Sequence, residues 1–291
     1  EELGEVMKVT ALAPWAGAKR TLAPQIVAML GKHRSYFEPF CGSMSVLLAK
    51  PESSHENVND LHGDLINLAR VIQDATLGPH FYRTMRRQWL SEELFLECRE
   101  ELLATPEYDG PVSPERARAF FVCSWFGRNG VVGTNSYRYG FCARWTPNGG
   151  HGGKRFASAV DSIPAWRKRM RRLTILRRDG FEFLAKIEDC DGVAIYVDPP
   201  YLAKGFKYLH DFEAEDHERL AAELRRFQKA RVVLSYYSHP QLAELYPDWT
   251  QHKIEVSKAL SHQGQRGKND TTATEVLLVN DHVGLPLFAD K

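Results

Sequence analysis

Residues Gly192 to Val197 form an unbroken apolar run, rich in β-branched side chains, that stops on Asp198-Pro199-Pro200-Tyr201. Such a run suits a central strand covered on both faces, which is the setting of a parallel sheet. The prolines end it, because proline has no N–H to give to a ladder. Further candidate strands lie at Tyr36-Phe37, Leu173 to Leu176, Ala230 to Leu234 and Glu275 to Asn280, and helical patterns at Ala23 to Leu30, Leu61 to Ile72 and Asp216 to Gln228. Strands alternating with helices predict an open, mostly parallel α/β sheet. In such sheets ligands bind beyond the carboxyl ends of the strands, which is where Asp198-Pro199-Pro200-Tyr201 would stand. As a bare tetrapeptide the same sequence also reads as an ordinary strand-to-loop turn.

A chain of 291 residues fits one large domain or two ordinary ones at roughly 150 residues each. Hydrophobic residues make up 43% and charged residues 26%, the balance of a globular protein rather than a disordered or collagenous one. No apolar run approaches the roughly 20 residues of a membrane helix, so no membrane partner is expected. Lys and Arg number 38 against 37 Asp and Glu, so only the distribution of charge can speak for or against nucleic acid. The five cysteines (Cys41, Cys98, Cys123, Cys142, Cys190) stand singly with no zinc-ligand spacing, and no metal is expected. Glu1 to Lys8 lack a basic stretch followed by an apolar one, so the expected location is a reducing cytoplasm.

A second special segment, Phe37-Glu38-Pro39-Phe40-Cys41-Gly42, follows the first candidate strand, and Asp60 comes about 20 residues later. A glycine after the first strand lets backbone approach a ligand, and a later acid holds ribose hydroxyls, so the pair is similar to a nucleotide-cofactor arrangement. Met44 occupies the position where a second glycine is usual. Residues 74–160 read differently from the flanks: charged helical patterns broken by prolines, then an aromatic and basic stretch from Trp125 to Trp145, with a weak hairpin signal at Asn135-Ser136. Trp145 to Phe156 is glycine-rich and reads as a mobile loop. The whole stretch is expected to be an inserted lobe between 1–73 and 161–291. Arg167-Lys168-Arg169-Met170-Arg171-Arg172, continuing to Arg177-Arg178, reads either as a solvated helix face or as a phosphate-contacting surface. The aromatic and basic mixture of the lobe suits base stacking and phosphate contact.

Taken together, Pro14-Trp15-Ala16-Gly17-Ala18-Lys19, Phe37 to Gly42 and Asp198-Pro199-Pro200-Tyr201 resemble the three signature motifs of the DNA adenine methyltransferase (Dam) family. Their order matches that family's alpha group: cofactor motif, target-recognition lobe, then DPPY. The resemblance runs from about Leu12 to Asn280, with echoes at Phe126 to Gly130 and at Phe212, His217 and Leu220. It implies a Rossmann-like methyltransferase sheet carrying an inserted, mainly helical target-recognition lobe at 74–160. It also implies S-adenosylmethionine as methyl donor, S-adenosylhomocysteine as product, and N6 of an adenine flipped out of double-stranded DNA as acceptor.

On that resemblance Asp198, Pro199, Pro200 and Tyr201 are the catalytic residues. Asp198 and the Pro199 carbonyl would accept the two amino hydrogens, and Tyr201 would stack on the base. Cofactor contacts are assigned to Trp15, Lys19 (near the methionine carboxylate), Glu38, Pro39, Phe40, Cys41, Gly42, Asp60, Asp179, Phe181 and Asp198. Trp15 also reads as a core aromatic and Asp60 as a helix N-cap. Candidate DNA contacts are Arg128, Asn129, Arg138, Lys154, Arg155, Lys204 and Lys207. Ala18, Ser43 and Met44 depart from the more glycine-rich family pattern. The same chemistry on RNA adenine or on the cytosine amino group, and a binding module without catalysis, are the alternatives. A monomer is expected, with a cognate restriction endonuclease as one partner.

Overall fold

The computed structural model describes residues 9–127, 132, 140–143, 151–202, 210–257 and 272–281. In its first half α1 (Ala23–Leu30), β1 (Ser35–Glu38), α2 (Ser45–Ala49) and β2 (His55–Asn59) precede a run of five helices. These are α3 (Gly63–Gln73), α4 (Leu77–Arg86), α5 (Glu92–Ala104), α6 (Pro114–Phe126) and α7 (Gly152–Met170). The second half follows as β3 (Thr174–Leu176), α8 (Gly180–Leu184), β4 (Val193–Val197), α9 (Ala214–Leu224), β5 (Arg231–Tyr237), α10 (Leu242–Leu245), β6 (Thr250–Ser257) and β7 (Thr272–Val279).

The seven strands form one sheet in the order β3-β2-β1-β4-β5-β7-β6. The first five are parallel, and β7 runs antiparallel between β5 and β6. This is the mostly parallel α/β sheet that the sequence predicts. Chain order reverses between β1 and β4, where Phe37 pairs with Ile195. At such a reversal the connections leave to opposite faces and open a crevice at the strands' carboxyl ends. The loops after Glu38 and Val197 both empty into it.

Alternation along β4 divides its side chains between two cores. Ala194 and Tyr196 join the cluster formed with α1 to α7, whereas Val193, Ile195 and Val197 join the one formed with α8, α9 and the segment around Trp249. All five residues of β4 are buried, as a doubly covered central strand requires.

Two strands escape sequence reading. In β2 (His-Glu-Asn-Val-Asn) polar residues are buried for pairing: Glu56 accepts from Lys50 Nζ at 2.6 Å and from Arg169 Nη1 at 2.5 Å. β6 is an edge strand, exposed along Thr250 to Lys253. β5 runs to Tyr237, three residues beyond the expected end, because β7 continues its ladder to the Tyr237–Glu275 pair. The expected mobile loop is corrected from residue 152 onward. Gly152 to Phe156 begin α7, whose N-cap His151 accepts from the Gly153 amide at 3.0 Å, and the helix carries Pro164 inside it. The Asn135-Ser136 hairpin lies outside the described residues.

The tryptophans of α6 and α7 place the chain's early segment. Trp125 Nε1 donates to the Leu12 carbonyl at 3.2 Å and Trp166 Nε1 to the Val9 carbonyl at 2.6 Å. The segment that carries Trp15 and Lys19 is thereby held against the helices before it reaches the crevice.

Candidate active site at the carboxyl edge of the sheet

The loop after β1 turns on Gly42, whose φ of +43° lies in the left-handed region. An added Cβ there would stand 3.1 Å from Trp15 Nε1, so glycine is required for both conformation and space. Met44 also takes a left-handed conformation, φ +58°. For a residue with a side chain this costs about 1–2 kcal/mol. Full burial of the Met44 side chain returns about 1.5–3 kcal/mol, which accounts for methionine where the family has glycine.

The loop is latched to the end of β2. The Gly42 amide donates to Asp60 Oδ2 at 2.8 Å and the His62 amide to Asp60 Oδ1 at 2.9 Å. Asp60 is therefore not the N-cap of α3; His62 is, its Nδ1 accepting from the Leu65 amide. Each carboxylate oxygen still has a lone pair for a ligand hydroxyl. Asn59, which the sequence did not single out, ties three segments together. Its Nδ2 donates to the carbonyls of Pro39 and Arg178, and its Oδ1 accepts from the Arg178 amide at 2.8 Å.

Beyond β3, Asp179 caps α8, with Oδ1 accepting from the amides of Phe181 and Glu182. Gly180 is explained by Phe40, whose ring would lie 2.4 Å from an added Cβ. Phe181 stacks with Phe212 at 5.6 Å, Phe212 meets Phe40 edge-on, and the Arg219 guanidinium sits 3.9 Å from the Phe181 ring centre. This aromatic shelf forms the wall of the cleft opposite Trp15, which packs edge-on against His62. Phe212 meets His217 edge-on, and His217 Nδ1 lies 2.8 Å from the Tyr236 hydroxyl. Arg219 and His62 are further lining residues that carried no sequence signal.

At the end of β4, Asp198 is surrounded by groups distant in sequence. Lys19 Nζ lies 3.0 Å from Asp198 Oδ2, 3.3 Å from Glu275 Oε1 and 2.6 Å from the Gly17 carbonyl. The Tyr201 hydroxyl lies 3.0 Å from Asp198 Oδ1 and 2.6 Å from Glu275 Oε1. Burial pushes the Asp198 carboxyl up to about 6, Lys19 opposing the rise and the Glu275 charge adding to it. Burial also pushes the Glu38 carboxyl well above the usual carboxylate range, with the nearby Asp198 and Asp60 charges adding to it. Glu38 accepts from the Tyr36 hydroxyl at 2.9 Å.

Trp15, Lys19, Glu38, Pro39, Phe40, Cys41, Gly42, Asp60, Asp179, Phe181, Asp198, Pro199 and Pro200 thus line one cleft, and Tyr201 stands beside Asp198, its hydroxyl 3.0 Å from Oδ1. Of the candidate DNA contacts, Arg128, Asn129, Arg138, Lys204 and Lys207 lie outside the described residues. Lys154 is exposed on the first turn of α7. Arg155 Nη2 donates to the carbonyls of Trp125 and Gly127 at the end of α6. In the basic cluster, Arg169 is engaged with Glu56 and Arg177 Nε donates to the Leu61 carbonyl, while Arg171 and Arg172 are exposed.

Residues 15–262 match the family described as D12 class N6 adenine-specific DNA methyltransferase. Among curated relatives, a type II methyltransferase (M1.LlaDCHI) of Lactococcus lactis subsp. cremoris is 27% identical over 91% of this chain and 93% of its own length. The retron Ec67 DNA adenine methylase of Escherichia coli is 24% identical over 94% of this chain and 92% of its own. A DNA adenine methylase of Vibrio cholerae is 25% identical over 90% and 93%. With a family match over most of its length, a switch-point cleft and an Asp-Pro-Pro-Tyr edge, this chain belongs to the D12 class of N6 adenine-specific DNA methyltransferases.

Proposed function

We propose that the chain methylates N6 of an adenine flipped out of duplex DNA at a short target sequence, using the cleft residues above in the roles that follow. The observation that carries this reading is the end of β4, where Asp198, Pro199 and Pro200 line the same cleft as Gly42, Asp60 and Asp179.

S-adenosylmethionine suits these residues. Gly42 leaves a cradle that a Cβ would fill, Asp60 keeps acceptor capacity for ribose hydroxyls, and Phe40, Phe181 and Arg219 form a shelf for a purine beside Asp179. Trp15, Glu38, Pro39 and Cys41 close the remaining walls. When bound, this cofactor supplies a methyl group on a sulfonium sulfur.

The adenine amino nitrogen is a poor nucleophile because its lone pair is delocalised into the ring. Asp198 and the Pro199 carbonyl would accept its two hydrogens, localising the lone pair and aiming it at the methyl group. Alignment then supplies much of the rate. Proline suits position 199 because only its carbonyl is needed. Tyr201 would stack on the base, offsetting part of the few kcal/mol that flipping costs. Arg128, Asn129, Arg138, Lys154, Lys204 and Lys207 are assigned to DNA, and Arg155 to holding Gly127, which leads into Arg128 and Asn129. Residues 74–160 are assigned to target recognition. The chain would work as a monomer in the cytoplasm of a bacterial or phage-infected cell. A cognate restriction endonuclease is its proposed partner.

The test is sequencing, with modification detection, of genomic DNA from a methylation-free bacterial host expressing the chain. N6-methyladenine at one short motif is expected. Asp198→Ala should lower methyl transfer by about 10²–10⁴-fold while DNA binding is retained. Transfer at the unaltered rate by that variant would overturn the mechanism, and unmodified DNA with active cofactor binding would overturn the substrate.

A further inference from the structure

Glu275 belongs to no signature motif and sits on the antiparallel strand β7, 74 residues from Tyr201. Its side chain is 7% exposed, and an acid is rarely buried so deeply without partners. Its partners are the Tyr201 hydroxyl at 2.6 Å and, from the cleft wall, Lys19 Nζ at 3.3 Å. The fold brings it there deliberately far from β4. β5 extends beyond the Val197–Leu234 pair to Tyr237, and β7 follows it, placing Glu275 opposite Tyr237 past the end of β4. Tyr237 meets the Tyr201 ring edge-on at 4.7 Å, so the same extension packs and hydrogen-bonds the tyrosine.

The arrangement contains a conflict that Glu275 resolves. Asp198 has a close neighbour at each oxygen, the Tyr201 hydroxyl at Oδ1 and Lys19 at Oδ2. An amino group from a base needs one of those oxygens as acceptor. The Tyr201 hydroxyl has one proton and two carboxylates within reach, and the shorter distance is to Glu275.

We propose that Glu275 is a positioning residue for methyl transfer: it accepts the Tyr201 hydroxyl hydrogen bond and shares the Lys19 ammonium, so that Asp198 is less engaged by its neighbours and more of its acceptor strength goes to the target amine. This rests on the methyltransferase reading of the cleft. Without the Glu275 anion, Asp198 would take a larger share of the Lys19 ammonium, which keeps its bond to the Gly17 carbonyl, and the Tyr201 hydroxyl would turn to Asp198. Asp198 is faced by Lys19, Glu38 of β1, Tyr196 of β4, Tyr201 of its own loop, Tyr236 and Tyr237 of β5, and Glu275 of β7. Glu275 is a neighbour whose charge raises the Asp198 carboxyl while Lys19 lowers it. Its neutralisation should therefore move the acid limb of the rate profile to lower pH.

The experiment measures single-turnover methylation by the full chain from pH 5 to 8, with the S-adenosylmethionine dissociation constant, for wild type, E275Q, Y201F and the double variant. For E275Q we expect a rate about 10–100-fold lower on the plateau, an acid limb displaced to lower pH, and cofactor affinity within twofold. The double variant should be slower than Y201F only by what the Lys19–Glu275 contact contributes, since both single variants remove the Tyr201–Glu275 hydrogen bond. If E275Q fails to fold, as judged by circular dichroism, E275D is read instead: the acid limb should stay in place while the plateau falls. A folded E275Q with wild-type plateau and acid limb would overturn the inference, as would E275D at the full wild-type rate. Wild type inactive on every DNA tested would instead overturn the methyltransferase reading, so the two failures are distinct.

Discussion

Asp198 illustrates how a buried carboxylate acquires a pH signature. Desolvation raises it to about 6 in the folded cleft, and only its anion can accept both an amino hydrogen and the Lys19 ammonium. The single-turnover rate should be level above pH 7 and fall about tenfold per pH unit well below pH 6. A rate that stays flat from pH 7 to pH 5 would show that this ionisation does not gate transfer. Met44 offers a stability test at the same scale. Met44→Gly relieves about 1–2 kcal/mol of left-handed strain but removes a fully buried side chain, a loss of about 2–5 kcal/mol. Urea denaturation should therefore show net destabilisation of about 1–3 kcal/mol, and a stabilised variant would mean that the strain outweighs the packing. Residues such as Asp198, Gly42 and Asp60 were legible in the sequence because their neighbours in the chain announce a strand end or a turn. Asn59 and Glu275 were not. Asn59 works through Arg178, 119 residues away, and Glu275 through Tyr201, 74 away, so nothing near either residue in the chain marks its use.

Helix α7 separates the two readings of the basic cluster. Its 19 residues span about 28 Å at ~1.5 Å per residue. The first turn meets Gly127 through Arg155. The last turn leads into the amino end of β3, the opposite edge of the sheet. Arg171 and Arg172 therefore stand away from the cleft, and their replacement by alanine should change stability by no more than about 0.5 kcal/mol. The slope of log affinity against log salt should also be unchanged. Arg169→Met should instead destabilise by about 1.5–3 kcal/mol, because the buried Glu56 loses its bidentate partner and keeps Lys50. Lys154→Ala, at the cleft end, should reduce the salt slope by about 0.9. A slope lowered by the Arg171/Arg172 change and not by Lys154→Ala would reverse the orientation of the DNA. Sequence alone marked the cluster as basic but could not say which arginines had partners, since those partners lie 92 or more residues away in the chain, on β2, on α2 and in the loops flanking α3.

The sheet and the helices between β2 and β3 unfold together if their shared core governs stability. Phe120, Phe121 and Trp125 of α6 and Trp166 of α7 are buried in one cluster with Val58 of β2 and Ala194 of β4. α3 and α6 are further joined by the buried Arg116–Asp64 pair, with Nε at 2.6 Å, and by Asn67 exchanging two hydrogen bonds with the Ser113 backbone. An inserted segment that buries its aromatic side chains against the sheet's own helices has no separate core with which to stand alone. Urea unfolding followed by tryptophan fluorescence and by far-ultraviolet circular dichroism should therefore give one coincident transition. Trp125 and Trp166 report from one side of the sheet and Trp249 from the other. Arg116→Leu, which removes the bidentate arginine from the buried Asp64, should lower the midpoint of both signals together by about 1.5–3 kcal/mol of stability. Two resolved transitions, with only the first moved by Arg116→Leu, would instead make the helical segment a foldon of its own. The single transition carries a functional consequence. The segment assigned to target recognition would then hold a fixed orientation to the cleft, and reading a sequence would be geometrically coupled to presenting its adenine at Asp198.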